Sequence, residues 1–193
     1  YSPAPWTTPS TAALLSSRRP SELGIRTQKK RLGDEVVLLP EILQANGYTT
    51  GAVLGNRIVG KRWNFDQGYD VFNEENSTGH EAVSSGGISD DGIAFIDEHF
   101  ARRPSFLLLH YFDPHWPYRP PGADDDCLVN DIKGSGSTRG EMMFQDAVPQ
   151  AEDERAAALY AGEVVYNLDH VGQLLDALDA QGLTENTLVV FTA

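Results

Sequence analysis

Two kinds of apolar pattern run through this chain. Short runs that are apolar at every position occur at Phe106–Leu109 (FLLL) and inside Thr187–Thr192 (TLVVFT). Such runs lack the polar alternation of a half-exposed strand, and they predict strands buried on both faces of a sheet. Tyr48–Leu54 (YTTGAVL) is β-prone and joins them. Between these runs the spacing is helical. Leu38–Asn46 predicts a short amphipathic helix closed by Gly47. Ile93, Ile96 and Phe100 mark the inner face of a helix capped by Ser89, with Asp90 and Asp91 in its first turn. Glu152–Gln181 predicts the longest helix, striped by Leu159, Val164, Leu168, Val171, Leu175 and Leu178 and stopped by Gly182. Helix and strand alternate, which predicts an α/β fold with a mainly parallel sheet.

The remaining segments read as connections. Tyr1–Pro9 is a Pro- and aromatic-rich loop, after which Ser10 or Thr11 is placed to cap a helix through Ala12–Leu15. Arg18–Asp34 is polar and basic, and Lys61–Phe72 is aromatic with Gly68 as its turn. Two stretches, near 73–88 and 122–150, are rich in Ser and Gly or in acidic residues and predict mobile or inserted loops. No repeat divides the chain, so residues 1–193 read as part of one domain.

Composition narrows the function classes. A formal charge of −13 argues against non-specific binding to nucleic acid or an anionic membrane. No apolar run approaches the roughly 20 residues that span a bilayer. Cys127 is the only cysteine, which excludes an internal disulfide and a thiolate metal cluster.

Candidate chemistry collects where Phe106–Leu109 ends. His110, Asp113 and His115 follow it in a loop stiffened by Pro114, Pro117, Pro120 and Pro121. In open α/β sheets ligands sit outside the carboxyl ends of the strands, so this loop is a candidate site edge. The alternative is a rigid surface loop whose polar residues cap and turn. Near the N-terminus, Thr7, Thr8, Ser10 and Thr11 crowd the start of a helix, where backbone N–H groups favour an anion. A helix cap alone also explains them.

Taken in order, four segments resemble the sulfatase family, within the alkaline-phosphatase-like fold. WTTPSTAALLSSRRP resembles the segment holding the family's nucleophile, and LPEILQANGYTTGAV the helix–strand unit that follows. FLLLHYFDPHWPY resembles the strand and loop presenting a substrate-contacting histidine. LYAGEVVYNLDHVGQLLDALDAQGLTENTLVVFTA resembles the long helix and last strand before the metal-binding Asp–His. The resemblance implies a three-layer alkaline-phosphatase-like sandwich, incomplete in this chain.

The resemblance also assigns roles. Thr7 stands where sulfatases have the Cys or Ser that becomes formylglycine, and Thr11 where they have an Arg. Asn56 falls near the family's sulfate-gripping Lys and His, with Lys61 offset from it. His115 matches the histidine before x-Pro, with Asp113 beside it. Thr7 and His115 are thus the expected catalytic residues, and Thr11, Asn56, Lys61 and Asp113 the expected substrate contacts. The implied cofactor is a divalent metal, calcium first among the family's ions. Its acidic pair is expected before Tyr1 and its Asp–His after Ala193, so a fragment without a tightly bound ion, inactive alone, is expected. The implied partner is an anionic sulfate or phosphate ester. Thr7 cannot form a formylglycine, which opens a second expectation, a phospho-transferase or phosphodiesterase using Thr7. A third is a non-catalytic member that binds an anion or a partner.

Overall fold

The computed structural model describes residues 2–28, 30–77, 79, 84–116, 118–121 and 150–192. Its helices are α1 (Thr7–Ser16), α2 (Leu39–Ala45), α3 (Ser85–His99) and α4 (Gln150–Ala180). Its strands are β1 (Thr49–Leu54), β2 (Val71–Asn73) and β3 (Ser105–His110). They form a parallel sheet in the order β2-β1-β3, with Thr49 opposite Ser105 and Leu54 opposite His110. The fold is therefore α/β with a parallel sheet.

Successive strand residues point to opposite faces, and both faces are covered. Leu108 packs against a cluster of Ala12, Leu15, Leu38, Ala52, Leu54, Val59 and Phe65 on the α1 and α2 side. Its neighbours Leu107 and Leu109 pack on the other side against Ile96 of α3 and Leu174 and Leu178 of α4. Helices thus lie on both sides of the sheet. Central β1 is buried along its whole length, whereas β3, an edge of the described sheet, is half-buried. Full burial of β3 on both faces was the expectation. An edge strand lacks the second neighbour that would complete it.

Several expected boundaries move. α1 begins at Thr7, with Trp6 in extended conformation before it and no side-chain cap, rather than after a Ser10 or Thr11 cap. Ser10 turns back instead, its hydroxyl donating to the Ala4 carbonyl at 2.7 Å. β2 lies within and just beyond what reads as an aromatic loop. Three residues carry no periodicity, and pairing with Gly51–Val53 makes them a strand. Asp70 secures that pairing by accepting from the Thr50 amide at 2.9 Å. α3 starts at Ser85 and so takes up residues expected to be loop. Ser89 lies buried inside it, beside the Tyr111 hydroxyl at 2.7 Å and donating to the His170 carbonyl at 2.9 Å.

α4 ends as expected. Gly182 adopts φ +68 and Leu183 N–H donates back to Leu178 at 3.0 Å. Its inner face differs from the expected stripe. Glu163, Asn167, Leu174 and Leu178 are buried, while Leu168 and Leu175 are exposed. Thr187–Thr192 forms no strand among the described residues. Leu188 is 88% and Val190 74% exposed. β propensity yields a strand only where an unpaired edge is met, and this run meets none here. The expected loop near 122–150 lies outside the described residues except for Gln150, which opens α4.

Candidate functional site

The carboxyl ends of β1 and β3 are bound together one step beyond the ladder, where Gly55 N–H donates to the His110 carbonyl at 2.8 Å. A Cβ at Gly55 would lie 3.0 Å from Ile88 Cδ1, Phe112 Cβ and Ser84 Oγ, so glycine permits this closure. The chain after β1 and the chain after β3 therefore leave the sheet from one end, side by side.

Asn56 follows Gly55. Its Oδ1 accepts from Ile58 N–H at 3.1 Å and caps a single 3-10 turn at Arg57–Val59. The Ile58 carbonyl accepts from the Thr8 hydroxyl at 3.1 Å. That bond fixes the first turn of α1 against the segment after β1, and with it Thr7, half-buried at the first helical position. Thr11 lies one turn further along the same face. Thr8 is fully buried and carries the tether, a role its sequence setting beside Thr7 does not distinguish.

Lys61 sits apart, towards β2. Its amide donates to Glu74 Oε2 at 3.0 Å and its ammonium lies 6.0 Å from the centre of the Phe72 ring. These contacts group it with β2.

After β3 the side chains divide sharply in role. Burial pushes the His110 imidazole down to about 4, so it is neutral near pH 7, and its Nδ1 has no partner among the described residues. Asp113 turns away from the strand end to cap α3. Its Oδ2 accepts from Ser84 N–H at 2.8 Å, Ser85 N–H at 2.9 Å and the Ser85 hydroxyl at 2.7 Å. That explains why α3 starts at Ser85: its cap comes from another part of the chain. His115 is exposed, with its ring stacked on Phe112 at 4.4 Å between centroids. Its Nδ1 lies 2.7 Å from the Trp116 carbonyl. A carbonyl can only accept, so Nδ1 carries the proton and the neutral ring keeps its lone pair on Nε2. That arrangement suits a group that takes or gives a proton through Nε2.

One carboxyl group was missed in the sequence. Glu163 of α4 is 3% exposed, and burial pushes it up to about 7, with the charge of Asp113 acting in the same direction. The legible signal was the spacing Glu163, Asn167, Leu174, Leu178, a helical face with two polar members.

The divalent ion implied by the resemblance does not fit these residues. Among those described, no group of three or more His, Cys, Asp or Glu side chains could hold one, and Asp113 is engaged with α3.

No curated protein matches the chain. Solved structures do. One is BT4656, in complex with its substrate D-glucosamine-2-N,6-O-disulfate, with TM-score 0.67 and 17% identity over 97% of this chain and 55% of that one. Another is Ps i-CgsB in complex with k-i-k-neocarrahexaose, with TM-score 0.64 and 19% identity over 95% of this chain and 46% of the other. A third is BT1596, a 2-O GAG sulfatase, with TM-score 0.63 and 15% identity over 91% and 44%. At these identities the likeness is one of fold, and the chain spans about half the length of the structures it matches. The Sulfatase family model, by contrast, matches residues 1–193, the full sequence given; the chain belongs to the sulfatase family.

Proposed function

We propose that the protein cleaves sulfate esters and that this chain supplies the side of the site that receives the anionic ester. The observation that supports the reading is that the segments after β1 and β3, which carry Asn56 and His115, leave one end of the sheet side by side, with the first turn of α1, which carries Thr7, tied to the former. The three residues come from distant parts of a sulfatase-family chain. The start of α1 would favour the ester's negative charge near Thr7. His115, protonated, would give its Nε2 proton to the leaving alkoxide as the ester bond breaks, a contribution typically of about 10²–10⁴-fold. Asp113 would act through the loop it ties to α3. BT4656 and Ps i-CgsB are seen with sugars and BT1596 is a GAG sulfatase, which favours a sulfated sugar as the ester. Sulfatases generally use a divalent metal; the residues described here do not form its site, and no step is assigned to it.

Thr7 itself supports a second reading. A threonine cannot become formylglycine, so an intermediate on its oxygen must be released by water or an acceptor attacking sulfur or phosphorus. Attack at phosphorus is the easier of the two, which favours phosphate diesters or transfer to a second alcohol. The test is the protein, with Thr7→Ala and His115→Ala variants, assayed on aryl sulfates, phosphate diesters and phosphonates. Sulfate release that both substitutions abolish supports the first reading. Phosphate chemistry that Thr7→Ala abolishes supports the second, and no turnover of any ester leaves a binding protein.

A further inference from the structure

We propose that Glu163 is a positioning residue for His115, holding one end of the loop that presents it while Asn167, one turn along α4, holds the other. The inference rests on the reading of His115 given above. β3 alone cannot place that ring. After His110 the chain leaves the ladder, and His115 lies five residues further on, where a small change at the strand end swings the imidazole widely. The loop is instead laid along α4. At its near end, Asn167 Nδ2 donates to the Asp113 carbonyl at 3.1 Å and to the Ser85 hydroxyl at 3.0 Å. At its far end, Glu163 Oε1 accepts the Arg119 amide. His115 falls between these two points.

Packing confirms that the loop is seated on the helix. Tyr118 meets Tyr160 edge to face, 5.5 Å between ring centres. A Cβ at Gly162 would lie 2.9 Å from Pro120 Cβ and Cγ, so the absence of a side chain there admits the loop. Tyr160, Glu163 and Asn167 follow one another at helical spacing on this face. A buried carboxylate is an expensive way to hold one amide, and a neutral amide side chain would do so at less cost. What the carboxylate adds is a response to a proton. Its Oε2 is buried with no partner among the described residues. Among the described residues, Asp113, Tyr118 and Arg119 face it from the loop, and Tyr160 of α4 lies against Tyr118. Burial, aided by the charge of Asp113, outweighs the Arg119 amide and favours the neutral form in the closed arrangement, so by linkage raising the pH through about 7 favours the open loop.

Hydrogen–deuterium exchange separates this role from a merely structural one. In Glu163→Leu, which fills a similar volume, exchange in the peptide covering 111–121 should rise by about tenfold or more, with β1 and α3 peptides unchanged. Turnover should fall by about tenfold or more through kcat, with KM little affected. Glu163→Gln keeps an acceptor for the Arg119 amide and should restore loop protection. It should also abolish the rise in intrinsic-rate-corrected loop exchange that the unsubstituted protein shows between pH 6 and 8. Unchanged loop exchange in the Leu variant overturns the inference. So does loosening spread equally over β1 and α3, or a Gln variant that keeps the pH dependence. A loosened loop with full turnover would keep the clamp and remove His115 from the chemistry, so the two readings fail separately.

Discussion

The two faces of the sheet are built on different principles. On the α1 and α2 side the interior is dominated by one apolar cluster, from Ala12 and Leu15 to Leu54, Val59 and Phe65, with Thr8, Thr50 and Asn64 as buried polar residues among the same elements. On the α3 and α4 side it is apolar only in part, around Ile96, Leu174 and Leu178. Towards the carboxyl ends of the strands it becomes a polar network of Ser85, Ser89, Tyr111, Asp113, Glu163 and Asn167. An apolar interior is non-directional and holds elements together wherever shapes match. A buried polar network works only in one arrangement, because each unpaired group is costly. The first face supplies stability, and the second fixes where the loop after β3 lies.

That contrast can be broken on either side. The largest effect should come from Phe65→Ala, which empties a fully buried position in the apolar cluster. It should cost about 3–5 kcal/mol in denaturant unfolding, with activity lost only as the folded fraction falls. His115→Ala should do the reverse. The ring is exposed, so stability should change by less than about 0.5 kcal/mol while kcat falls by about 10²–10⁴-fold. A variant that unfolds the protein, or one with full turnover, would remove the distinction.

Asp113→Ala stands between these. It deletes an acceptor shared by three donors at the start of α3 and should cost about 1–3 kcal/mol. Exchange at Ser84–Ser85 should rise before that of β1. If the loss is spread evenly over the fold, the cap is not the local device described.

The smallest effect is on pH dependence. Glu163 binds its proton more tightly in the folded state, with its value raised from 4.5 to about 7. The stability it contributes is therefore fully present below about 4.5 and is lost as pH rises to about 7. Opening of the loop around the charged form limits the loss to on the order of 1 kcal/mol. Glu163→Gln should match the unsubstituted protein at pH 4.5 and exceed it by that amount at pH 8, measured by unfolding midpoints across this range. Parallel pH curves for the two proteins would show that the network carries no such charge penalty.

The first face was far more legible than the second, for reasons visible in particular residues. YTTGAVL and FLLLH announce strands by their own composition, and pairing with each other realises them, which TLVVFT does not find among the described residues. LPEILQAN followed by Gly47 announces a helix and its stop in the same way. Asp113 could not be read as the cap of α3, since Ser84 and Ser85 lie far from it in sequence and nothing local signals the meeting. Glu163 was passed over for the reverse reason. A carboxylate amid helix formers looks solvated, and only the arrival of the 111–121 loop buries it.

The site shows the same division. His115 and its prolines could be singled out as a candidate edge from spacing and from likeness to a known family, while the start of α1, at Thr7, was read several residues late. Thr8, whose hydroxyl binds that helix to the segment after β1, was indistinguishable from its neighbour.

By itself the sequence determined the α/β alternation, strands β1 and β3, helix α2 and the end of α4 at Gly182. These follow from local periodicity, chain stiffness and residue type, each acting over a few positions. Only the tertiary structure decided where α1 and α3 begin, that Val71–Asn73 is a strand while Leu188–Phe191 stays exposed, and that Glu163 is buried beside Asp113. Each of those depends on a hydrogen-bond partner or a packing surface that arrives from a distant part of the chain, and no local pattern encodes that arrival.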